Sequence, residues 1–343
     1  MDTIEILKTL CAADGVSGDE YEACEAAAGL LREFTDDVET DKFGCVTAFI
    51  GDRADNKPVI MLEAHIDEIG FIVTYIDEKG FLKVGSCGGT DRRLYPAQTV
   101  TIHSGGGKLK GVVCTLPPHV HPDDDKALKT EDVSVDTGFS SREEAEKYIS
   151  PGDRITIDAP LEALCGTRCT SKALDDRAGA AAIIHALGLI KDKPSMFNTQ
   201  VILASMEEVG SRGAKTAAYR SDASLAIATD VSFAYTPDDK KEDCGEMGKG
   251  VMIGVSPVLD KALTNELKKI AADSKIPFQT EIMAASTGTD ADVISVTNGG
   301  IPTALLSIPI KYMHTPVETV DIKDIEAVGE LMARFILGGG KNV

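Results

Sequence analysis

The chain has 343 residues, 43% of them hydrophobic, which suits about two domains or one large α/β unit with an insertion and excludes a disordered polymer. Lys and Arg number 35 against 55 Asp and Glu, and the resulting net charge of −20 argues against nucleic acid and against an anionic membrane surface as partners. Met1-Asp2-Thr3-Ile4-Glu5 has neither region of a signal peptide, and the longest nearly apolar stretch, residues 179–190, is too short to span a bilayer. Eight scattered cysteines read as free thiols of a reducing compartment, so a cytoplasmic location is expected.

In chain order, helices are expected over residues 3–13 and 19–34, split by Gly15-Val16-Ser17-Gly18. Val59-Ile60-Met61-Leu62, behind Pro58, is a short continuous apolar run of the kind buried on both faces of a parallel sheet. Residues 70–160 read as β-rich: Val100 to His103, a Ser104-Gly105-Gly106-Gly107 turn and Lys108 to Cys114 form a hairpin pattern. A helix over 142–149 follows a Ser141-Arg142-Glu143-Glu144 capping box, and Pro151-Gly152-Asp153 turns into the strand Arg154-Ile155-Thr156-Ile157. Buried-strand runs recur at Val201-Ile202-Leu203-Ala204, Leu225-Ala226-Ile227-Ala228 and Ala304-Leu305-Leu306-Ser307-Ile308, with helical stretches over 178–190, 260–272 and 322–337. The expected fold is α/β: a mostly parallel sheet with helices on both faces, formed by residues 1–69 and 161–343, plus a small β-barrel-like domain inserted at 70–160.

Ligands of open parallel sheets bind beyond the carboxyl ends of the strands, so the residues just past each buried strand carry the functional information. After the first run come Glu63-Ala64-His65-Ile66-Asp67, after the second Ser205-Met206-Glu207-Glu208, after the third Thr229-Asp230, and the last runs on to His314. Asp175-Asp176 stand just before a helix. Any one of these has a plain structural reading: a core histidine, a solvated glutamate pair, a helix cap. Five segments delivering His or carboxylate to one sheet edge instead suit a divalent transition metal such as zinc, cobalt or manganese. Five ligands are too many for one tetrahedral ion and fit two ions sharing a carboxylate, a pair that acidifies water and polarises a carbonyl. The pair Glu207 and Glu208 can supply one ligand and one general base, provided the chain turns there, as Val209-Gly210-Ser211 would allow. Asp67, two residues past His65, can accept the proton on the other imidazole nitrogen.

The set His65-x-Asp67, Leu174-Asp175-Asp176-Arg177-Ala178-Gly179, Glu207-Glu208-Val209-Gly210, Asp230 and Tyr312-x-His314-Thr315-Pro316-Val317-Glu318 resembles the dinuclear metallo-aminopeptidases of the glutamyl and tetrahedral (TET) type, some of them labelled endoglucanases. The resemblance spans essentially the whole chain. It implies that His65, Asp175 and Asp230 hold one metal and Asp175, Glu208 and His314 the other, with Asp175 bridging, zinc or cobalt foremost and manganese compatible. It also implies that Glu207 is the general base, that Asp67 orients His65, that short peptides are the substrates, and that the chain forms a homo-oligomer, commonly a dodecamer, through the inserted domain. Thr287-Gly288-Thr289-Asp290-Ala291 resembles a further pocket motif, with Thr287 where the family more often has Gly.

Other residues read as structural: His119, His121 and His103 as loop or solvated side chains, His185 as a core residue, Asp123-Asp124-Asp125 as a solvated edge, and Gly338-Gly339-Gly340 as a helix stop. Cys165 and Cys169 lack the partners of a zinc set. The competing functions are a deacylase or carboxypeptidase on the same scaffold, a glycoside hydrolase and a non-catalytic metal protein. The glycosidase needs no histidine and the chain has no Trp to stack on a sugar; the non-catalytic reading would leave Glu207 without a task.

Overall fold

The computed structural model describes residues 2–115, 129–237 and 239–339; His119, His121 and the Asp123–Asp125 run lie outside these. Helices α1 (Thr3–Ala12) and α2 (Tyr21–Leu31) precede strands β1 (Val38–Thr40), β2 (Val46–Ile50) and β3 (Val59–His65). The chain then leaves for a separate sheet: β4 (Gly70–Ile76), β5 (Leu82–Cys87), β6 (Thr99–Ser104), β7 (Gly107–Val113), β8 (Ser134–Asp136), helix α3 (Arg142–Ala145) and β9 (Arg154–Ile157). It returns through β10 (Glu162–Ala163) and β11 (Arg168–Ser171) to α4 (Leu174–Ile190), β12 (Asn198–Ala204), α5 (Arg212–Tyr219) and β13 (Leu225–Phe233). The remainder is β14 (Val251–Val255), α6 (Lys261–Ser274), β15 (Phe278–Ile282), α7 (Ala291–Ile294), β16 (Thr303–Ile310), β17 (Glu318–Asp321) and α8 (Ile322–Arg334).

The large sheet has the order β1-β2-β12-β3-β13-β16-β14-β15. Its four middle strands, β12, β3, β13 and β16, are mutually parallel, with Ala204 opposite His65 and Asp230 opposite Ser307, so their carboxyl ends share one edge. Antiparallel pairings of β2 with β12 and of β14 with β16 extend it on both sides. Alternation along the strands feeds two cores, as the two-residue period of a strand demands. Ile60, Leu62, Ala64, Val201 and Leu203 pack towards α1, α4 and α8, whereas Met61, Ile202 and Ala204 pack towards α5 and α7. Helix starts are capped by side chains: Asp2 accepts from the Ile4 amide, Asp260 from Leu263 and Asp321 from Lys323.

Strands β4 to β9 close into a six-stranded barrel around Phe71, Val73, Leu82, Tyr95, Ile102 and Val135. The glycine hairpin is present, Ser104 pairing with Gly107 across Gly105-Gly106. The helix behind Ser141 is shorter than its sequence pattern: the Ser141 hydroxyl accepts the Glu144 amide, but the helix ends at Ala145 and the chain turns before Pro151. At the junction with the large sheet the barrel presses close, and a Cβ on Gly70 would lie 2.5 Å from Val16 and 2.6 Å from the Ile155 carbonyl. The last helix also stops short, at Arg334, continuing as one wider turn. The expected elements leave out β1, β2, the short α5, β14 and β15. The last is half-exposed and reads Phe-Gln-Thr-Glu-Ile.

One buried ion network ties the N-terminal helix to the sheet. Arg177, fully buried on α4, donates to the carbonyls of Leu10 (2.7 Å), Ala13 and Ile66 (3.2 Å) and to Glu68 (3.2 Å), whose carboxylate also receives Lys172 (2.7 Å) and the Gly15 amide (2.9 Å). Removing one partner of such a network leaves charge and carbonyls stranded. Arg177→Met is expected to lower the unfolding free energy by about 3–5 kcal/mol in a denaturant titration against the unaltered chain at equal metal loading.

Candidate metal centre and active site

Past the four parallel strand ends the chain gathers its acidic residues and histidines. His65 is the last residue of β3, and its Nε2 lies 3.0 Å from Asp175 Oδ1. His314, from the segment after β16, places Nε2 3.3 Å from Asp175 Oδ2 and 3.4 Å from Glu208 Oε1. Donor atoms of His65, Asp175 and Asp230 lie within 4.8 Å of one another, and so do those of Asp175, Glu208 and His314. These groupings coincide with the two sets that the family resemblance implies, and they share one carboxylate whose two oxygens face different imidazoles.

Backbone geometry makes the convergence possible. Among the described residues nine that are not glycine take positive φ, and five of them, Ala173, Met206, Ser211, Tyr312 and His314, sit in the segments that carry the cluster. The bend that aims Glu207 and Glu208 towards the same space begins at Met206, earlier than the Val209-Gly210-Ser211 turn suggested by the sequence. It is closed by the amides of Gly210 (2.8 Å) and Ser211 (3.0 Å) on the Glu207 carbonyl. The Asp175–Asp176 peptide is cis. Asp176 accepts the Gly179 amide at 2.9 Å on one oxygen, which caps the regular part of α4 beyond its kinked start, while Asp175 faces the histidines.

Asp67 has a wider task than its sequence position suggests. Its carboxylate lies 3.5 Å from His65 Nδ1, farther than its own backbone carbonyl at 3.2 Å. The carboxylate oxygens accept from the Ser17 hydroxyl (2.6 Å) and from the amides of Glu207 (2.9 Å) and Glu208 (3.3 Å). Asp67 therefore holds the glutamate turn as well as facing the imidazole. Glu318, four residues after His314 in the same motif, does a parallel job: its two oxygens accept the backbone amides of His314 (2.8 Å) and Asp175 (3.1 Å). Sequence reasoning missed that role, although the short His314-to-Glu318 spacing was its visible signal.

Electrostatically the cluster is an excess of buried negative charge. Burial, then the charges of Asp176 and Asp175, push Asp230 well above the usual carboxylate range. Burial acts the same way on Asp175, but hydrogen bonds from His314 and His65 outweigh it and hold that carboxyl low. Burial opposes charge on His314, yet Asp175 and Glu208 raise it to about 11. Burial pushes Glu207 up to about 8, with Asp290 adding to the rise and His65 opposing it. Glu207 belongs to neither donor set. Beneath the centre, Glu63 and Asp290 have buried carboxylate oxygens without a hydrogen-bond partner among the described residues. A cavity of about 770 Å³ opens over His65, Asp175, Glu207, Glu208, Asp230 and His314, with Thr287 to Thr289 on its wall.

The remaining histidines stay apart from it. His185 is half-buried on α4 beside the Thr3 hydroxyl at 3.3 Å, so it sits at the margin of the core and not within it. His103 is not solvated: its Nε2 meets the Thr156 hydroxyl at 2.9 Å because β6 pairs with β9 there. All eight cysteines are free, and no metal-type cluster includes Cys165 or Cys169 among the described residues. No helix among the described residues is long and apolar enough to cross a membrane.

Residues 44–331 match the model of the M42 glutamyl aminopeptidase family, and the chain belongs to that family of peptide-bond hydrolases. It is 35% identical to the lysyl aminopeptidase of Pyrococcus furiosus over 94% of this chain and 93% of the relative. The structure superposes with a TM-score of 0.92 on a TET aminopeptidase from a marine sediment Thaumarchaeota archaeon, 30% identical, covering 98% of this chain and 96% of that one. It superposes at 0.87 on the TET1 peptidase of Pyrococcus horikoshii, 29% identical over 98% of this chain and 100% of the other, which can assemble into a tetrahedron or a large octahedral shell.

Replacing Asp67 by Ala would strand the Ser17 hydroxyl and two backbone amides, each bond to a charged acceptor being worth roughly 1.5–3 kcal/mol before the relief of a buried charge. A net loss of about 2–4 kcal/mol is expected in a denaturant titration, and it should persist in chelated protein if Asp67 acts on the protein frame as well as on His65.

Proposed function

We propose that this aminopeptidase-family chain removes single residues from the free amino end of short peptides, with a pair of divalent ions as its cofactor. His65, Asp175 and Asp230 would hold one ion and Asp175, Glu208 and His314 the second. The observation that carries this reading is Asp175, whose two carboxylate oxygens face two imidazoles of two donor sets. Mixed imidazole and carboxylate donors suit zinc or cobalt, and manganese also. When bound, such a pair activates water and polarises the scissile carbonyl.

The rest of the work falls to the chain. Glu207 lines the cavity without joining either donor set, so it is free to take a proton from the attacking water and pass it to the departing amine. Its carboxyl needs cations nearby to stay ionised at neutral pH, because burial raises it to about 8. Asp67 and Ser17 hold Glu207 in place through its amide, and Glu318 does the same for Asp175 and His314. We assign residues 1–69 and 161–343 to the catalytic domain and 70–160 to an inserted one. A large homo-oligomer, a dodecamer foremost, and a cytoplasmic location complete the reading; the assembled state of the Pyrococcus horikoshii relative supports the former.

The test is mass spectrometry of an unblocked peptide and its N-acetylated copy, run with protein as purified, after chelation, and after adding back zinc or cobalt. Stepwise loss from the free amino end, abolished by chelator and by acetylation, is expected. An acetylated peptide cut equally well would move the reading to a deacylase, endopeptidase or carboxypeptidase. Glu207→Gln is expected to retain its metal by elemental analysis while turnover falls by at least about 10²-fold. Asp175→Asn, by contrast, should lose both ions in the same analysis.

A further inference from the structure

We infer that this chain selects peptides whose first residue carries a long basic side chain, Lys or Arg, and that Glu281 is the residue that selects it. The inference rests on the aminopeptidase reading above and concerns the far wall of the same cavity. That wall carries three carboxylates outside the metal set, Glu242, Asp243 and Glu281, and no Lys or Arg lines the cavity among the described residues. None of the three forms an ion pair with a described residue.

Glu281 is placed for this task by the sheet. It lies on β15, opposite Gly254 of β14, so β14 itself puts no side chain between it and β16. Its carboxylate accepts the Ser307 hydroxyl at 2.8 Å on one oxygen and the Ser232 hydroxyl on the other. Ser307 stands directly opposite Asp230 in the parallel pair, and Ser232 follows Asp230 by two residues on the same face of β13. A fixed carboxylate thus sits one to two strand spacings, roughly 5–10 Å, from the metal set. Met252, Met283 and Leu305 give the same cavity an apolar part. A four-carbon stem can lie along that surface with its ammonium at Glu281, which is how long basic side chains divide themselves between apolar and charged surroundings.

Two alternatives are disfavoured by the same geometry. An acidic first residue would meet three like charges on that wall, with no Lys or Arg among the described lining residues to offset them. A plain aliphatic side chain would fill the apolar part but leave the half-buried Glu281 carboxylate without a cation. The α-ammonium group is common to all substrates of an aminopeptidase, so it cannot set the preference. Glu242 and Asp243 are exposed at the mouth, where they attract cationic substrates in a salt-dependent way.

The experiment compares peptides identical except for a first residue of Lys, norleucine or Glu, using metal-loaded full-length protein. Norleucine keeps the four-carbon chain and loses the ammonium. Calorimetric binding of L-lysinamide and L-norleucinamide to the same protein gives a readout that does not need turnover. Lys over norleucine by about tenfold or more in both kcat/KM and affinity is expected, with Glu worst. In Glu281→Gln the Lys-to-norleucine ratio should collapse towards one, mostly through KM. Glu242→Gln with Asp243→Asn, both on exposed positions that cannot upset the fold, should lower the ratio less, and that smaller effect should vanish in high salt. Equal or better use of norleucine would overturn the specificity while leaving the aminopeptidase standing. Absence of any amino-terminal cleavage would overturn the aminopeptidase, and the amide affinities would still decide whether the wall selects a cation. An unchanged ratio in Glu281→Gln would show that Glu281 is not the selecting group.

Discussion

Everything near the site stems from one electrostatic constraint: too many carboxylates are held out of water at one place. Glu63, Asp67, Asp175, Asp176, Asp230, Asp290 and Glu318 are all buried, and Glu207 and Glu208 are partly so. Isolated buried carboxylates are costly, and each must be answered by a proton, a hydrogen-bond donor or a cation. The chain answers some of them itself. Asp67 and Glu318 take backbone amides, and Asp176 takes the start of α4. Asp175 and Glu208 face the two histidines and Asp230 takes only the Val231 amide on one oxygen, and that residual imbalance is what the proposed pair of cations would answer. The same residues that cost stability are the ones that can do chemistry.

The scaffold supports this crowding by making the surroundings rigid. Two carboxylates act on the backbone of the ligand-bearing segments, so the donors are aimed by bonds that no metal has to make. The positive-φ residues at Met206, Tyr312 and His314 are the conformational cost of bringing side chains from different strands to one point.

Much of this is legible in the sequence because the information is local. His65, Glu208, Asp230 and His314 come one or a few positions after an apolar run, and strand direction in a parallel sheet sends them to one edge, whereas Asp175 stands at the start of α4. Resemblance to known motifs separates Asp175 from Asp176; the physical reason, that Asp176 is occupied by the Gly179 amide, needs the helix start in three dimensions. The illegible part depends on pairings between distant segments. Ser17 reaches Asp67 only because the turn after α1 folds over the end of β3. Glu281 reaches Ser307 and Ser232 only because β14 adds itself antiparallel to β16 and carries β15 with it. The β15 sequence has too little alternation to announce a strand, and its neighbours in space are 26 and 49 positions away in the chain. The expectation of a solvated His103 fails for the same reason, its partner Thr156 being supplied by another strand.

The place where the barrel leaves the large sheet has a consequence for how the molecule comes into being. The barrel strands lie between Gly70 and Ile157 and pair only with one another, so that unit can close as soon as it has been synthesised. β3 cannot be completed then, because both of its parallel neighbours, β12 and β13, come later in the chain. Its apolar run must wait, unpaired on both edges, while the ribosome adds residues 70 to 233. Closure of the barrel in the meantime brings the chain near residue 70 back beside Ile155, shortening the loop that β3 must later close with β12. By chain order, the edge that gathers His65, Asp230 and His314 is the last part of the large sheet to be completed, when β13 and β16 arrive.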